Sequence, residues 1–288
     1  MSLYITSLNS GSNGNCYYIA NATEAILVDA GISCRETEKR MQLLGLSMDK
    51  VKAIFISHEH TDHIKGVESI AEKYGLPVYI TDATAQRGRL HFKKDLRQSI
   101  ISHEPVIIGG LTITAFPKIH DAADPHSFII SGNGITVGVF TDIGVACENV
   151  KKHFKLCHAA FLEANYDEEL LEQGNYPIFL KNRIKGGEGH LSNTQAMEIF
   201  KLHRSPFLSH LLLAHLSKDN NSAQLVQQLF ETIAGDIRIF VASRNEQTAL
   251  YKIECAQNMQ PSSVVLKPVI FKKIVVKPAL YVKQLSLF

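Results

Sequence analysis

His58, His60, Asp62 and His63 fall within the six-residue stretch HEHTDH. Side chains that close together cannot all face one way along a helix or strand, so the chain must curl as a loop to gather them around a point. Three imidazoles and a carboxylate suit a borderline divalent cation: Zn²⁺, with Mn²⁺ or Fe²⁺ also admissible. The stretch follows AIFIS, an apolar run of strand type. A loop at a strand end is where α/β proteins place their ligands. A polar surface loop needs neither that spacing nor that placement, so a metal site is the better reading.

A second stretch, SLNSGSNGNCYYI, sets Ser10 to Asn15 between two apolar runs. Small residues permit close backbone approach, and amides beside Ser12, Asn13 and Asn15 could cradle a phosphate. The same residues also suit a plain hairpin turn, and the sequence leaves both readings open.

The elements that must position these residues are short. LYITSL, CYYIA, AILVDA, AIFISH, VYIT, LTITAF, SFIIS, ITVGVFTD, AAFLEA, LLLAH and IRIFVA are rich in Val, Ile, Phe and Tyr and bounded by Gly, Asn, Asp or Pro, which predicts strands. Apolar residues three or four apart predict helices over 36–44, 61–74, 194–202 and 223–233. The alternation implies a layered α/β domain. At QNMQPSS the composition turns to that of a linker, dividing a body of residues 1–255 from an extension of residues 256–288. The extension has β-type residues interrupted by prolines, which suits an edge strand or an extended arm.

At 288 residues and 45% hydrophobic, the chain can bury one large core or two small ones. The start resembles no signal peptide, and no apolar run approaches the roughly 20 residues of a membrane span. Five cysteines without a CxxC pair read as reduced thiols, so a cytoplasmic protein without membrane attachment is expected. Net charge is +2, but the extension carries five lysines and no acid, so the body keeps 25 basic against 28 acidic residues, about −3. Such a body announces no nucleic-acid binding by charge alone.

The HEHTDH loop after a strand resembles the metallo-β-lactamase superfamily, whose fold is a four-layer αβ/βα sandwich. The resemblance implies two divalent metal ions (zinc or manganese, with iron possible) between two sheets, and further ligands at strand ends. Asp29 in AILVDAG fits the Asp that braces the metal loop, His120 in FPKIHDAADP the next ligand, Asp142 in VGVFTDIG the bridging carboxylate and His215 in LLLAHLS the last. His58, His60 and His120 would hold one ion, and Asp62, His63 and His215 the other, with Asp142 between. Asp62 would also position the nucleophile. His91, His103, His153, His203 and His210 lack that placement; His126 and His158 are less clear, His126 being near the His120 loop.

The fold hosts several hydrolyses, so substrate class rests on accessory residues. In ribonuclease Z-like members, a Glu after a strand and a His before a helix assist proton delivery to the leaving oxygen; Glu163 in AFLEAN and His190 in GGEGHLSN match. SGSNGN, SHEHTDH, HDAADP, TDIG, EAN, GHLSN and AHLS together closely resemble the YycJ/WalJ-type branch, implicated as a DNA nuclease with 5′-to-3′ exonuclease action in DNA repair. Ser192, in GHLSN, joins Ser12, Asn13 and Asn15 as an expected substrate contact. The branch usually reads EANHD, and Tyr166 stands here where that His would be, from which it could still donate to a phosphate. The alternatives are an RNA-processing nuclease, a glyoxalase II-like thioesterase and a non-catalytic binding module.

The chain ends in Gln284-Leu285-Ser286-Leu287-Phe288. Large apolar residues there either tuck against the body or anchor a partner. The stretch closely resembles the pentapeptide by which bacterial repair and replication enzymes dock on the DNA polymerase sliding clamp. That resemblance implies recruitment to DNA through a partner rather than through a basic face.

Overall fold

The computed structural model describes residues 2–93 and 95–255. The expected boundary at QNMQPSS and the 284–288 motif lie outside the described residues. One sheet comprises β1 (Ser2–Asn9), β2 (Cys16–Ala20), β3 (Ala25–Val28), β4 (Val51–Phe55), β5 (Val78–Ile80), β6 (Arg97–Ser99) and β14 (Tyr251–Glu254), in the order β14-β1-β2-β3-β4-β5-β6. The other comprises β7 (Pro105–Ile108), β8 (Leu111–Pro117), β9 (His126–Gly132), β10 (Ile135–Phe140), β11 (Ala159–Glu163), β12 (His210–Ala214) and β13 (Arg238–Val241), in the order β13-β12-β11-β10-β9-β8-β7. Each sheet is antiparallel on one side and parallel on the other: β3 to β6 run parallel in the first, and β10 to β13 in the second.

Alternation along the strands builds the layers. Ile26 and Val28 of β3 face the other sheet, as does Phe161 of β11, and they share one core with Leu3, Tyr17, Phe55, Phe128 and Leu212. Leu27 points the opposite way, under Met41 of α1 (Cys34–Leu43) and Ile70 of α3 (Val67–Tyr74). Ala160 and Leu162 point outward from the second sheet against α5 (Glu148–Phe154), α8 (Asn193–His203) and α9 (Ala223–Glu231), which contribute Phe154, Phe200 and Phe230. Helices on both outer faces explain why β3, β11 and β12 are buried at every residue and read as unbroken apolar runs rather than alternating ones. The architecture is the four-layer αβ/βα sandwich. Each fully buried Phe contributes about 1.5–3 kcal/mol by area.

The helix expected over 61–74 is two: α2 (Thr61–Ile64) and α3, parted at Lys65 and Gly66. Gly66 donates its N–H to Ala30 O at 2.7 Å, and a Cβ there would lie 2.0 Å from Ile32 O. The backbone after β3 thus passes through the space a continuous helix would need. Helices α4 (Asp82–Arg87), α6 (Glu168–Gln173) and α7 (Ile178–Lys185), like α5, have no clear apolar periodicity and were not anticipated. Among the described residues, no helix is long and apolar enough to cross a membrane.

Candidate metal centre

The candidate residues gather at the C-terminal ends of six strands, five of them in the parallel halves. Asp29 directly follows β3, HEHTDH follows β4, Asp142 follows β10, Glu163 ends β11 and His215 follows β12; His120 comes shortly after β8. Asp29, Asp142 and His215 leave their strands with φ of 59°, 55° and 57°, the left-handed conformation. Asp and His tolerate that region better than branched residues, and its strain concentrates at functional sites. Each such residue ends its strand where its side chain joins the donor cluster.

The ring nitrogens of His58, His60 and His120 converge: His58 Nε2 and His120 Nε2 lie 3.0 and 3.3 Å from His60 Nδ1. Beside them Asp62 Oδ2 is 3.5 Å from His63 Nε2 and 3.4 Å from His215 Nε2. Asp142 spans both groups, with Oδ2 3.1 Å from His63 Nε2 and Oδ1 3.5 and 3.9 Å from His215 Nε2 and His120 Nε2. At His63 the distance is that of an ion pair, yet Oδ2 is buried and has no hydrogen-bond partner among the described residues. A carboxylate with one oxygen left so, set between imidazoles near each of its oxygens, fits a divalent cation.

The electrostatics divide the histidines. Burial opposes charge on His63 and His215, but Asp142 and the other carboxylates around them outweigh it and raise both, His215 to about 10. His58, His60 and His120 are lowered. Burial holds His58 well below the ordinary histidine range, with His63 and Lys118 adding to it, and brings His120 down to about 4. Burial likewise lowers His60. These three are therefore neutral imidazoles, the form that binds metal. Burial opposes the charge of Asp142, but His215 and His63 outweigh it and keep the carboxylate ionised.

The ligand candidates are held from behind. Asp29, fully buried, accepts from Ser57 N and Ser57 Oγ at 2.8 and 2.9 Å and from His63 Nδ1 at 2.8 Å. His120 Nδ1 donates to Gly189 O at 3.0 Å, and His215 Nδ1 to Glu163 Oε1 at 3.0 Å. Each bond fixes a tautomer and leaves Nε2 for the centre. Glu163 has no exposed surface and receives four donors: Ile143 N, Leu191 N, His215 Nδ1 and His190 Nδ1, the last at 2.8 Å. Burial raises its pKa, but His190 and His215 reverse the effect and hold it at about 2. With its lone pairs filled, Glu163 anchors two histidines, an arrangement in which any assistance to proton delivery runs through the His190 ring it holds. His190 keeps an edge in solvent.

The expected substrate contacts divide. Ser12 and Asn13 are exposed. Asn15 is buried, its amide spent on Gly11 O, Asp62 Oδ2 and the His63 ring. Ser192 caps α8: its hydroxyl accepts from Gln195 N, and its own N–H donates to Gln195 Oε1. Asn15 and Ser192 thus also shape the site, Asn15 through its amide and Ser192 as a helix cap whose hydroxyl hydrogen is not used in these bonds. Tyr166 is 4% exposed, and burial pushes its hydroxyl up to about 12. His126 is committed to Ser102 Oγ and Asp124 O. Sequence reasoning passed over Ser57, Asn165 and Lys118. Asn165 Nδ2 donates to His215 O at 2.7 Å, and Lys118 Nζ, buried, to Thr141 O at 2.7 Å. A lysine two residues before His120 at the end of an apolar run was the available signal. All five cysteines are free.

Residues 24–215 match the model of the β-lactamase superfamily domain. The chain belongs to the metallo-β-lactamase superfamily. Within it, exodeoxyribonuclease YycJ of Bacillus anthracis is 34% identical over 230 residues, 79% of this chain and 87% of its own length. Exodeoxyribonuclease WalJ of Streptococcus pneumoniae is 31% identical over 259 residues, 85% of this chain and 96% of its own. This chain is therefore a member of the YycJ/WalJ branch. The metallo-β-lactamase fold protein YhfI from Bacillus subtilis superposes with a TM-score of 0.68 at 19% identity, covering 88% of this chain and all of that one, a likeness of fold alone. The family implies divalent metal ions and hydrolytic chemistry, and the converging donors fit them.

Proposed function

We propose that this protein is a dinuclear metal-dependent phosphodiesterase that degrades DNA from a 5′ end during repair. The observation carrying the reading is His190, held by Glu163 at 2.8 Å on the open edge of the donor cluster. A phosphodiester leaving oxygen needs a proton, and a thioester's thiolate does not. The names of the two relatives support the same class. His58, His60 and His120 would hold one ion and Asp62, His63 and His215 a second, with Asp142 shared. Bound there, zinc or manganese would activate water and neutralise charge on the attacked phosphate.

The chain's own groups do the rest. Asp62, 21% exposed at the mouth, orients the attacking water. His190 delivers a proton to the leaving oxygen, and Glu163 fixes its ring so that Nε2 is left for the substrate. Exposed Ser12 and Asn13 contact the backbone. Residues 284–288 bring the enzyme to DNA through the sliding clamp.

The test is incubation of zinc- and manganese-loaded protein with DNA labelled at either end, RNA of the same sequence and a thioester. Expected is immediate release of 5′ label and gradual shortening of 3′-labelled DNA. RNA or thioester turnover without DNA cleavage would overturn the reading.

A further inference from the structure

We propose that Arg244, together with Ser12, forms a seat for a phosphate of the DNA strand beside the one being cleaved. The inference rests on the nuclease reading above.

The loop carrying Arg244 is tied to the metal centre through Ser10. Ser10 N donates to Ser243 O at 3.1 Å, while Ser10 Oγ accepts from His215 N at 2.8 Å. One residue therefore joins the backbone beside Arg244 to the strand end that presents His215. Asn13 Nδ2 donates to Arg244 O at 2.7 Å. At Gly11 a Cβ would meet Arg244 Cβ at 3.3 Å and Leu216 O at 3.5 Å, so the glycine loop, the Arg244 loop and the chain after His215 converge. Gly11 itself has φ 142°, open to glycine at little cost.

The guanidinium placed there is under-used. Its one side-chain hydrogen bond among the described residues runs from Nη2 to Ser12 Oγ at 3.4 Å, and Arg244 has no ion pair among them. Nη1 is buried and has no hydrogen-bond partner among the described residues. Asp219, whose carboxylate accepts from the Tyr176 hydroxyl at 2.8 Å, does not pair with the guanidinium. A buried charged donor without an acceptor is unfavourable, and the fold keeps one here. A planar guanidinium takes a phosphate through two parallel N–H bonds, and the neighbouring Ser12 hydroxyl can add a third. The body carries no net positive charge, so one such placed cation would matter more here than in a basic groove.

The test uses metal-loaded full-length protein as wild type, Arg244→Gln and Arg244→Lys. The first readout is anisotropy with a labelled, nuclease-resistant phosphorothioate oligonucleotide. Arg244→Gln is expected to weaken binding about tenfold and to reduce the slope of log Kd against log salt by about one. Arg244→Lys should fall between, since it keeps charge without the fork. The second readout compares turnover of DNA with that of bis(p-nitrophenyl) phosphate, which has no flanking phosphate. The loss of kcat/KM should be about tenfold greater on DNA and reside in KM. Equal affinity and salt slope in Arg244→Gln, or equal losses on the two substrates, overturn the seat. Failure of the wild-type protein to cleave DNA would instead defeat the nuclease reading, with the anisotropy still deciding whether Arg244 holds a phosphate.

Discussion

Asp62 is the residue on which the proposed chemistry most depends, and its position makes a clean test. Its side chain meets His63, His215 and Asn15, whereas its backbone carbonyl holds Asn15 N at 2.7 Å and survives substitution. Asp62→Ala should therefore stay folded by circular dichroism yet lose more than a hundredfold in kcat/KM on DNA, about 2.7 kcal/mol of transition-state stabilisation. Activity above a hundredth of wild type would exclude the assigned role. His190→Ala should behave differently. Its Nδ1 is bonded to Glu163 at 2.8 Å and lies 3.8 Å from Asp142 Oδ1, but it is outside the His58, His60 and His120 group, so cleavage should slow while metal content by elemental analysis stays that of wild type. Metal loss would make His190 a ligand. These residue types could be read from the sequence because HEHTDH packs its donors into one short stretch. The left-handed turns at Asp29, Asp142 and His215, and the four bonds that fill Glu163, could not be. They depend on backbone that arrives from distant strands, as do the bonds that commit Asn15 to Asp62 and His63.

Among the elements, the inner strands of the parallel halves, such as β3, β11 and β12, were legible because burial on both faces demands unbroken apolar runs. β6, Arg-Gln-Ser, and α7, which buries no side chain, were not. α7 is held by polar contacts, Arg183 Nε to the distant Asp121 Oδ2 at 2.6 Å and Lys181 Nζ to the nearer Glu172 O at 2.5 Å. The join between β3 and α2 is equally hidden, since nothing in a sequence pattern tells that two backbones touch. A Cβ on Gly31 would lie 1.6 Å from Asp62 O, so the glycine is required by the close pass of the loop that carries Asp29. Gly31→Ala should displace the metal loop, costing about 1–3 kcal/mol or more of stability as overpacking does. Metal affinity should fall with it. Thermal melts and a metal titration check both; a wild-type melting temperature with wild-type affinity would mean the loops part without consequence.

At the scale of the molecule, the candidate ligands come from both sheets: HEHTDH from the first, and Asp142, His215 and His120 from the second. Bound cations would therefore cross-link the two halves. Titration should saturate at two equivalents per chain, and ligand at a hundred times its Kd stabilises by about 2.7 kcal/mol. For a domain of this size that is roughly 5–10 °C in Tm, at about 2–4 °C per kcal/mol. Chelation should lower the melting temperature accordingly, and an unchanged Tm would argue that the centre binds no tight cation. The order of strand-end motifs from Asp29 to His215 made this architecture legible. The route to DNA is a separate matter, because the body, at 25 basic against 28 acidic residues, has no charge excess to supply it. Gln284 offers amide donors and acceptors, and Leu285, Leu287 and Phe288 offer apolar anchors, a combination suited to a short peptide that fills pockets on a partner. Docking on the sliding clamp would raise the local concentration of DNA without any affinity of the body itself. The five lysines between 267 and 283 could add phosphate contacts once there. Deleting residues 284–288 should therefore abolish clamp binding in surface plasmon resonance while hydrolysis of short oligonucleotides continues. Stimulation of the full-length enzyme by a clamp loaded on long DNA should vanish with the same deletion. Clamp affinity that survives the deletion would place the contact elsewhere and leave the pentapeptide without that role.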